Sequence, residues 1–258
     1  MPVAIDISTS QKLKCWFFIS MIMLLFVHSY NLNERYLRPF SIVHEQLTFN
    51  SFIQYFLSNG LFRFFVPMLF SISGYLYAFH DERSYGKRIR GRIRTIFLPY
   101  LIWSAVGLIL TYVIELSSYG RGIIETTHLM VLSNNRILLH DYKWYELLLR
   151  WLFLPVPYQL WFLRVLFIYN LIYPALRWCV LKCPHIFFFV IVLFWLSDIS
   201  FILFEGEGLF FFSLGIWIQK KNYNIQEPGK WFKPLPWAAI FIILNVIKTI
   251  IAFKAFNF

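Results

Sequence analysis

The sequence predicts an all-α fold: a polytopic transmembrane helix bundle of about seven spans, forming one domain over residues 1–258. Three observations predict it. The 258 residues are 59% hydrophobic and 21% aromatic but only 14% charged, whereas soluble chains are roughly 45–50% apolar and about 25% charged. The apolar residues come in runs, and a helix needs about 20 of them to cross hydrocarbon at about 1.5 Å per residue. The net charge of +11 sits in the gaps between runs, where basic residues orient spans and meet anionic headgroups, so nucleic acid is not expected as a partner.

The stretch that orients the chain is Lys87-Arg-Ile-Arg-Gly-Arg-Ile-Arg94, five cations in eight residues between two apolar runs. It is expected as a short loop facing the cytoplasm by the positive-inside rule. Met1 to Gln11 is then a cytoplasmic polar lead. The run after Lys12 and Lys14 resembles a signal peptide, but no small-residue cleavage site follows, so it is expected as a first span, about Leu13 to Tyr30. Asn31 to Ser58 is expected as an outer loop carrying a short helix. Span two, about Leu61 to Phe79, returns inward; Pro67 in its first turns can leave a carbonyl without its helical donor. Ser71, Ser73 and Gly74 are small enough to let another helix approach closely.

Span three is expected from about Thr95 to Glu115, with Pro99 near its start where a missing N–H costs little. Tyr119 to Pro157 is the least apolar part of the chain and is expected outside, with Leu147 to Leu154 too short to span and therefore re-entrant or interfacial. Span four, about Tyr158 to Trp178, brings Arg177 and Lys182 to the inner side. Spans five, six and seven follow, about His185 to Phe204, Leu209 to Ile218 and Pro234 to Phe253. Cys15, Cys179 and Cys183 have no metal-ligand spacing and are expected reduced, with no metal site.

An ionisable side chain inside a span costs about 2.5–3.5 kcal/mol on insertion scales, so each one asks for a reason. Four stand out: His28, Arg63, Arg164 and Asp198. His28 serves either as a base that takes a hydroxyl proton or as an interfacial histidine bonded to water or backbone. Arg63 either polarises a carbonyl or holds an anion, or else it snorkels to headgroups. Asp198 has Arg164 and Lys248 as candidate partners. Arg90, Arg92 and Arg94 recur every second residue and can grip phosphates bidentately, although orientation alone would account for them. No G-x-S-x-G occurs, and the serines lack companions at nucleophile spacing.

In order along the chain, Phe26-Val-His-Ser-Tyr30, Arg63-Phe-Phe-Val-Pro-Met-Leu-Phe-Ser-Ile-Ser-Gly-Tyr75, the arginine-rich stretch into Pro99-Tyr100, and Leu160-Trp-Phe-Leu163 resemble the acyltransferase family 3 of membrane proteins. Phe211-Phe-Ser-Leu-Gly215 is similar to a later span of that family. The resemblance implies transfer of an acyl group, usually acetyl, from cytosolic acyl-CoA as co-substrate, with no bound cofactor, to a hydroxyl on a cell-envelope carbohydrate acceptor. It also implies a bacterial inner-membrane location with a cytoplasmic N-terminus. By position, His28 is similar to the family's essential first-span histidine, and Arg92 and Arg94 to its Arg-X-Arg pair, with Arg88 and Arg90 as the shifted alternative. Arg63 is similar to the polar residue before the Pro-Phe-Phe-Ser-Gly run.

Two departures stand beside the resemblance. The position eleven before His28, often basic in the family, is Phe17. Seven spans against the family's usual ten make a C-terminally shortened version the expected fold. A transporter of polysaccharide or solute, and an inactive fragment, are the competing readings. The first predicts movement of an unmodified substrate without dependence on acetyl-CoA.

Overall fold

The structure, a computed structural model, describes residues 7–28, 43, 45–127, 138–197, 204–223 and 233–254. Among them the chain is helical throughout, with no β-sheet. It divides into two compact units, a terminal one (Met1–Ala78 with Phe211–Phe258) and a central one (Phe79–Phe210).

In the terminal unit, α1 (Ile7–His28) is a single apolar helix. Helix α2 (Phe49–Tyr55) starts at a capping box in which the Thr48 hydroxyl accepts from the Ser51 amide at 3.1 Å and the Ser51 hydroxyl accepts from the Thr48 amide at 2.9 Å. Such a box satisfies two amides that a helix start leaves open. α2 runs into a π-helical segment, Phe56–Leu61, whose wider turn brings the Phe62 amide to the Leu57 carbonyl at 2.9 Å. A turn then leads into α3 (Phe65–Phe79). Pro67 has no N–H for the Arg63 carbonyl, and the Val66 amide takes its place at 3.1 Å. The carbonyl left open by the proline is thus closed by a tightened turn.

Two later helices complete this unit, α11 (Gly206–Lys220), most of which belongs to it, and α12 (Pro234–Lys254). A methyl group at Gly74 would overlap the Phe212 carbonyl oxygen, and one at Gly215 would overlap the Ser71 carbonyl oxygen. α3 and α11 therefore meet backbone to backbone through a reciprocal pair of glycines, the close approach that the small residues of span two led one to expect. α12 runs antiparallel to α2 and its π-helical continuation: Phe253 packs on Tyr55, Lys248 reaches Asn59, Asn245 faces Gly60, and Phe241 packs on Phe64.

The central unit begins with the turn after α3. α4 (Tyr85–Arg92) passes through a second π-helical segment, Ile93–Phe97, into α5 (Leu98–Ile114). The arginine-rich stretch is accordingly the first turns of a 30-residue helix, Tyr85–Ile114, and not the loop expected from its charge. The loop is shorter and lies before Tyr85, because nothing in Lys87–Arg94 breaks a helix except Gly91.

α6 (Ser118–Thr127), α7 (Trp144–Phe153), α8 (Trp161–Leu171), α9 (Tyr173–Lys182) and α10 (Pro184–Leu196) follow. α7 is docked on α5: the Tyr100 hydroxyl donates to the Leu152 carbonyl at 2.9 Å, Ser104 to the Trp151 carbonyl at 2.7 Å, and the Trp151 indole to the Leu101 carbonyl at 2.9 Å. α7 and Tyr158–Leu171 meet at 56°, a broken span or a re-entrant element, in keeping with the short apolar run expected there.

Among the described residues, four helices are long and apolar enough to cross a membrane, Ser8–His28, Phe49–Phe79, Tyr85–Ile114 and Pro234–Phe253, or five if the bent pair is one span, against the seven spans expected from the sequence. α10 has 13 residues and α11 has 15, short of the 18 or so a span needs. Part of expected span five, residues 198–203, lies outside the described residues.

Candidate functional site

His28 and Arg63 belong to the terminal unit, and Arg90, Arg92 and Arg94 to the central one. His28 is the last residue of α1 and is half-buried. Two residues earlier, the Phe26 ring packs on Phe62 at 5.5 Å between centroids. α1 thus ends against the break in the second span, and Phe62 immediately precedes Arg63. Arg63 is half-buried and sits in the turn between the π-helical segment and α3. The neighbour of His28, Ser29, lies outside the described residues, as does Asp198.

Sequence reasoning passed over a polar group in the same break. The Lys248 ammonium donates to the Asn59 carbonyl at 2.7 Å. A π-turn spaces its carbonyls away from the usual donors, and a cation from a neighbouring helix is one way to satisfy such a carbonyl at membrane depth. The Asn59 side chain is 2% exposed, and among the described residues neither its amide nitrogen nor its amide oxygen has a hydrogen-bond partner. One residue on, Gly60 lies so close to the Asn245 amide oxygen that a methyl group there would come within 3.0 Å of it. The signal in the sequence was an Asn-Gly pair set inside an apolar run.

In the central unit the helical course separates the arginines. Arg90 and Arg94, four residues apart, both face solvent, while Arg92 is half-buried. The every-second-residue spacing places Arg92 on another side of the helix from that pair. Arg88 is committed elsewhere: its guanidinium bonds Asp81 at 2.9 Å and lies over the Tyr173 ring at 4.8 Å. The other Asp81 oxygen holds Arg177 at 2.8 Å. Arg88 is thus held in a structural ion pair, whereas Arg90 and Arg94 lie on the exposed face and Arg92 on another.

Further along the same helix Phe97 stacks on Phe167 of α8 at 4.6 Å. Arg164, one turn before Phe167, lies near Tyr100. Pro99-Tyr100 and the Leu160-to-Arg164 stretch are therefore neighbours in the fold. Cys15, Cys179 and Cys183 are free; burial first and Cys183 next hold the Cys179 thiol above its ordinary range. Among the described residues no three His, Cys, Asp or Glu side chains gather as a metal site.

A second buried polar cluster lies at the far end of α5. Glu115 is fully buried and accepts from the Leu139 amide at 2.7 Å, the His140 amide at 3.1 Å and the His140 Nδ1 at 2.7 Å. The His140 ring stacks on Tyr112 at 4.0 Å, and Arg121 Nε donates to the Glu115 carbonyl at 2.6 Å. This carboxylate ties the residues after α6 back to α5.

The chain is 28% identical over 198 residues to the succinoglycan biosynthesis protein ExoH of Rhizobium meliloti (strain 1021), covering 76% of this chain and 50% of that protein. It spans about half the length of that curated relative. No solved structure matches it. A family model described as an acyltransferase domain matches residues 18–256, from the middle of α1 to just past α12. With nearly the whole chain under that match, the protein belongs to acyltransferase family 3.

Proposed function

We propose that this protein is a membrane O-acyltransferase that moves an acyl group, acetyl in the first instance, from acyl-CoA to a hydroxyl of a cell-envelope or exopolysaccharide sugar. The observation that carries this is the family match across residues 18–256, joined to a relative named for succinoglycan biosynthesis. The seven-span arrangement in the bacterial inner membrane, with the N-terminus and the arginine-bearing helix start on the cytoplasmic side, belongs to the same proposal.

The chemistry asks little of the protein beyond placement. A thioester is already activated, so catalysis consists of holding it, taking one proton and stabilising one oxyanion. Arg90, Arg92 and Arg94 grip the phosphates of the CoA moiety. His28 takes the proton of the acceptor hydroxyl as its oxygen bonds the acyl carbon, Arg63 balances the charge that builds on the carbonyl oxygen, and the C–S bond breaks. The proton ends on the CoA thiol.

Membranes containing the protein, given labelled acetyl-CoA, should place label on surface glycan. His28→Ala should lower transfer by about 10²–10⁴-fold, the usual worth of a general base, with the amount of protein in the membrane unchanged. Full residual transfer in that variant removes His28 from the mechanism. Movement of an unmodified glycan without any acetyl-CoA requirement would instead establish a transporter.

A further inference from the structure

The Asn59 side chain is buried to 2% exposure within a membrane span, with its amide nitrogen and oxygen both unpartnered among the described residues. Hydrocarbon offers no hydrogen bonds, so a bare amide there is costly and calls for a matching group. Its own backbone does not explain it, because the carbonyl of the same residue is already taken by Lys248. It also lies in a π-helical segment, Phe56–Leu61, a distortion found mostly at functional positions.

The two open valences define the ligand. An amide presents a donor on one side and an acceptor on the other. A phosphate or carboxylate would satisfy the nitrogen and leave the oxygen facing negative charge, and an ammonium would do the reverse. A neutral hydroxyl donates and accepts at once. The surroundings already carry the cationic Lys248 ammonium 2.7 Å from the Asn59 carbonyl, which adds no need for a second charged ligand. The segment holding Asn59 is also the one on which α1 ends through Phe26 and Phe62, next to His28.

We propose that Asn59 is the hydroxyl-recognising residue of the acceptor site, pairing its amide with a carbohydrate hydroxyl at the break in the second span. This deepens the acyltransferase reading and rests on it for the identity of the acceptor. A site built to bond a hydroxyl discriminates through the polar groups it would otherwise leave bare. It follows that an apolar side chain of the same size should cost recognition without costing the fold.

The test uses the full chain in detergent, with deacylated succinoglycan oligosaccharide as the binding probe, alongside labelled acetyl transfer in membranes. Asn59→Leu should bind the oligosaccharide about 10- to 100-fold more weakly, the usual cost of leaving a buried hydrogen-bonding partner unsatisfied. Its KM for acetyl-CoA should be unchanged and its melting temperature equal or higher. Asn59→Ala, read the same way, covers the case in which Leu does not fit. Wild-type affinity in both variants, parallel loss of both substrates with a lowered melting temperature, or no saturable binding by the unaltered protein would each overturn the proposal. If the unaltered protein binds the probe through Asn59 yet transfers no acetyl, the transfer reading falls and the site stands. If it transfers acetyl while Asn59→Leu binds normally, the reverse holds.

Discussion

Glu115 and Asn59 are both buried polar side chains in helices long enough to cross a membrane or at their ends, and the fold treats them in opposite ways. Glu115 is fully buried and receives three hydrogen bonds, two from backbone amides and one from His140. Asn59 is nearly as buried, and among the described residues its side chain makes none. A buried group with all its partners is a structural tie, and removing it strands the donors that faced it. A buried group without partners stabilises nothing by being polar, so its presence points to something it meets only when bound. Satisfaction, more than burial, separates the two.

The comparison is broken most forcefully at Glu115. Glu115→Ala should lower stability by about 2–6 kcal/mol, from two buried amides stranded at about 1–3 kcal/mol each, seen as a large fall in the detergent melting temperature. The corresponding change at Asn59 should leave that temperature level or raised. A destabilised Asn59→Leu beside a stable Glu115→Ala would reverse the assignment of the two roles.

Next in size is the glycine seam of the terminal unit. Gly74→Leu must push Phe212 and its helix away from α3, and overpacking of this kind costs about 1–3 kcal/mol or more. The loss should appear as reduced protein in the membrane and a lower melting temperature. Normal behaviour would mean that α3 and α11 do not meet at Gly74 and Gly215.

Arginines near the start of Tyr85–Ile114 give a finer contrast. Arg88, tied to Asp81 and laid over Tyr173, should behave like Glu115 in miniature: Arg88→Ala should cost about 1–3 kcal/mol, the range for a hydrogen bond to a charged group. Arg90→Ala and Arg94→Ala sit on an exposed face and should change stability by no more than about 0.5 kcal/mol. On the proposed function they raise the KM for acetyl-CoA instead. Equal melting temperatures across all three variants would show that Asp81 does not distinguish Arg88.

Much of the fold was legible before any coordinates. Hydrocarbon admits only helices and closed barrels, and apolar runs near 20 residues select helices, while small residues around Gly74 signalled a close helix crossing because a missing Cβ permits one. The short apolar run near Leu147 was recognisable by length alone. What misled was charge read as secondary structure: five cations in eight residues were expected as a loop, yet Lys and Arg are good helix formers, and the helix simply begins among them. Long apolar helices among the described residues match four of the seven expected spans, or five with the bent pair, since hydropathy marks apolar stretches and says nothing of where a helix ends within one.

By itself the sequence determined the membrane character, the all-helical class and the order of the family's motifs, because each of these depends on which residue follows which. Partners were decided only in three dimensions. Asp81 taking Arg177 as well as the nearby Arg88, Glu115 gathering the amides of Leu139 and His140, and Lys248 answering the Asn59 carbonyl join residues 24 to 189 positions apart, the Asp81–Arg88 pair aside. Their pairing depends on helix course and crossing, and no local pattern encodes which buried polar group will find a donor and which will be left waiting for one.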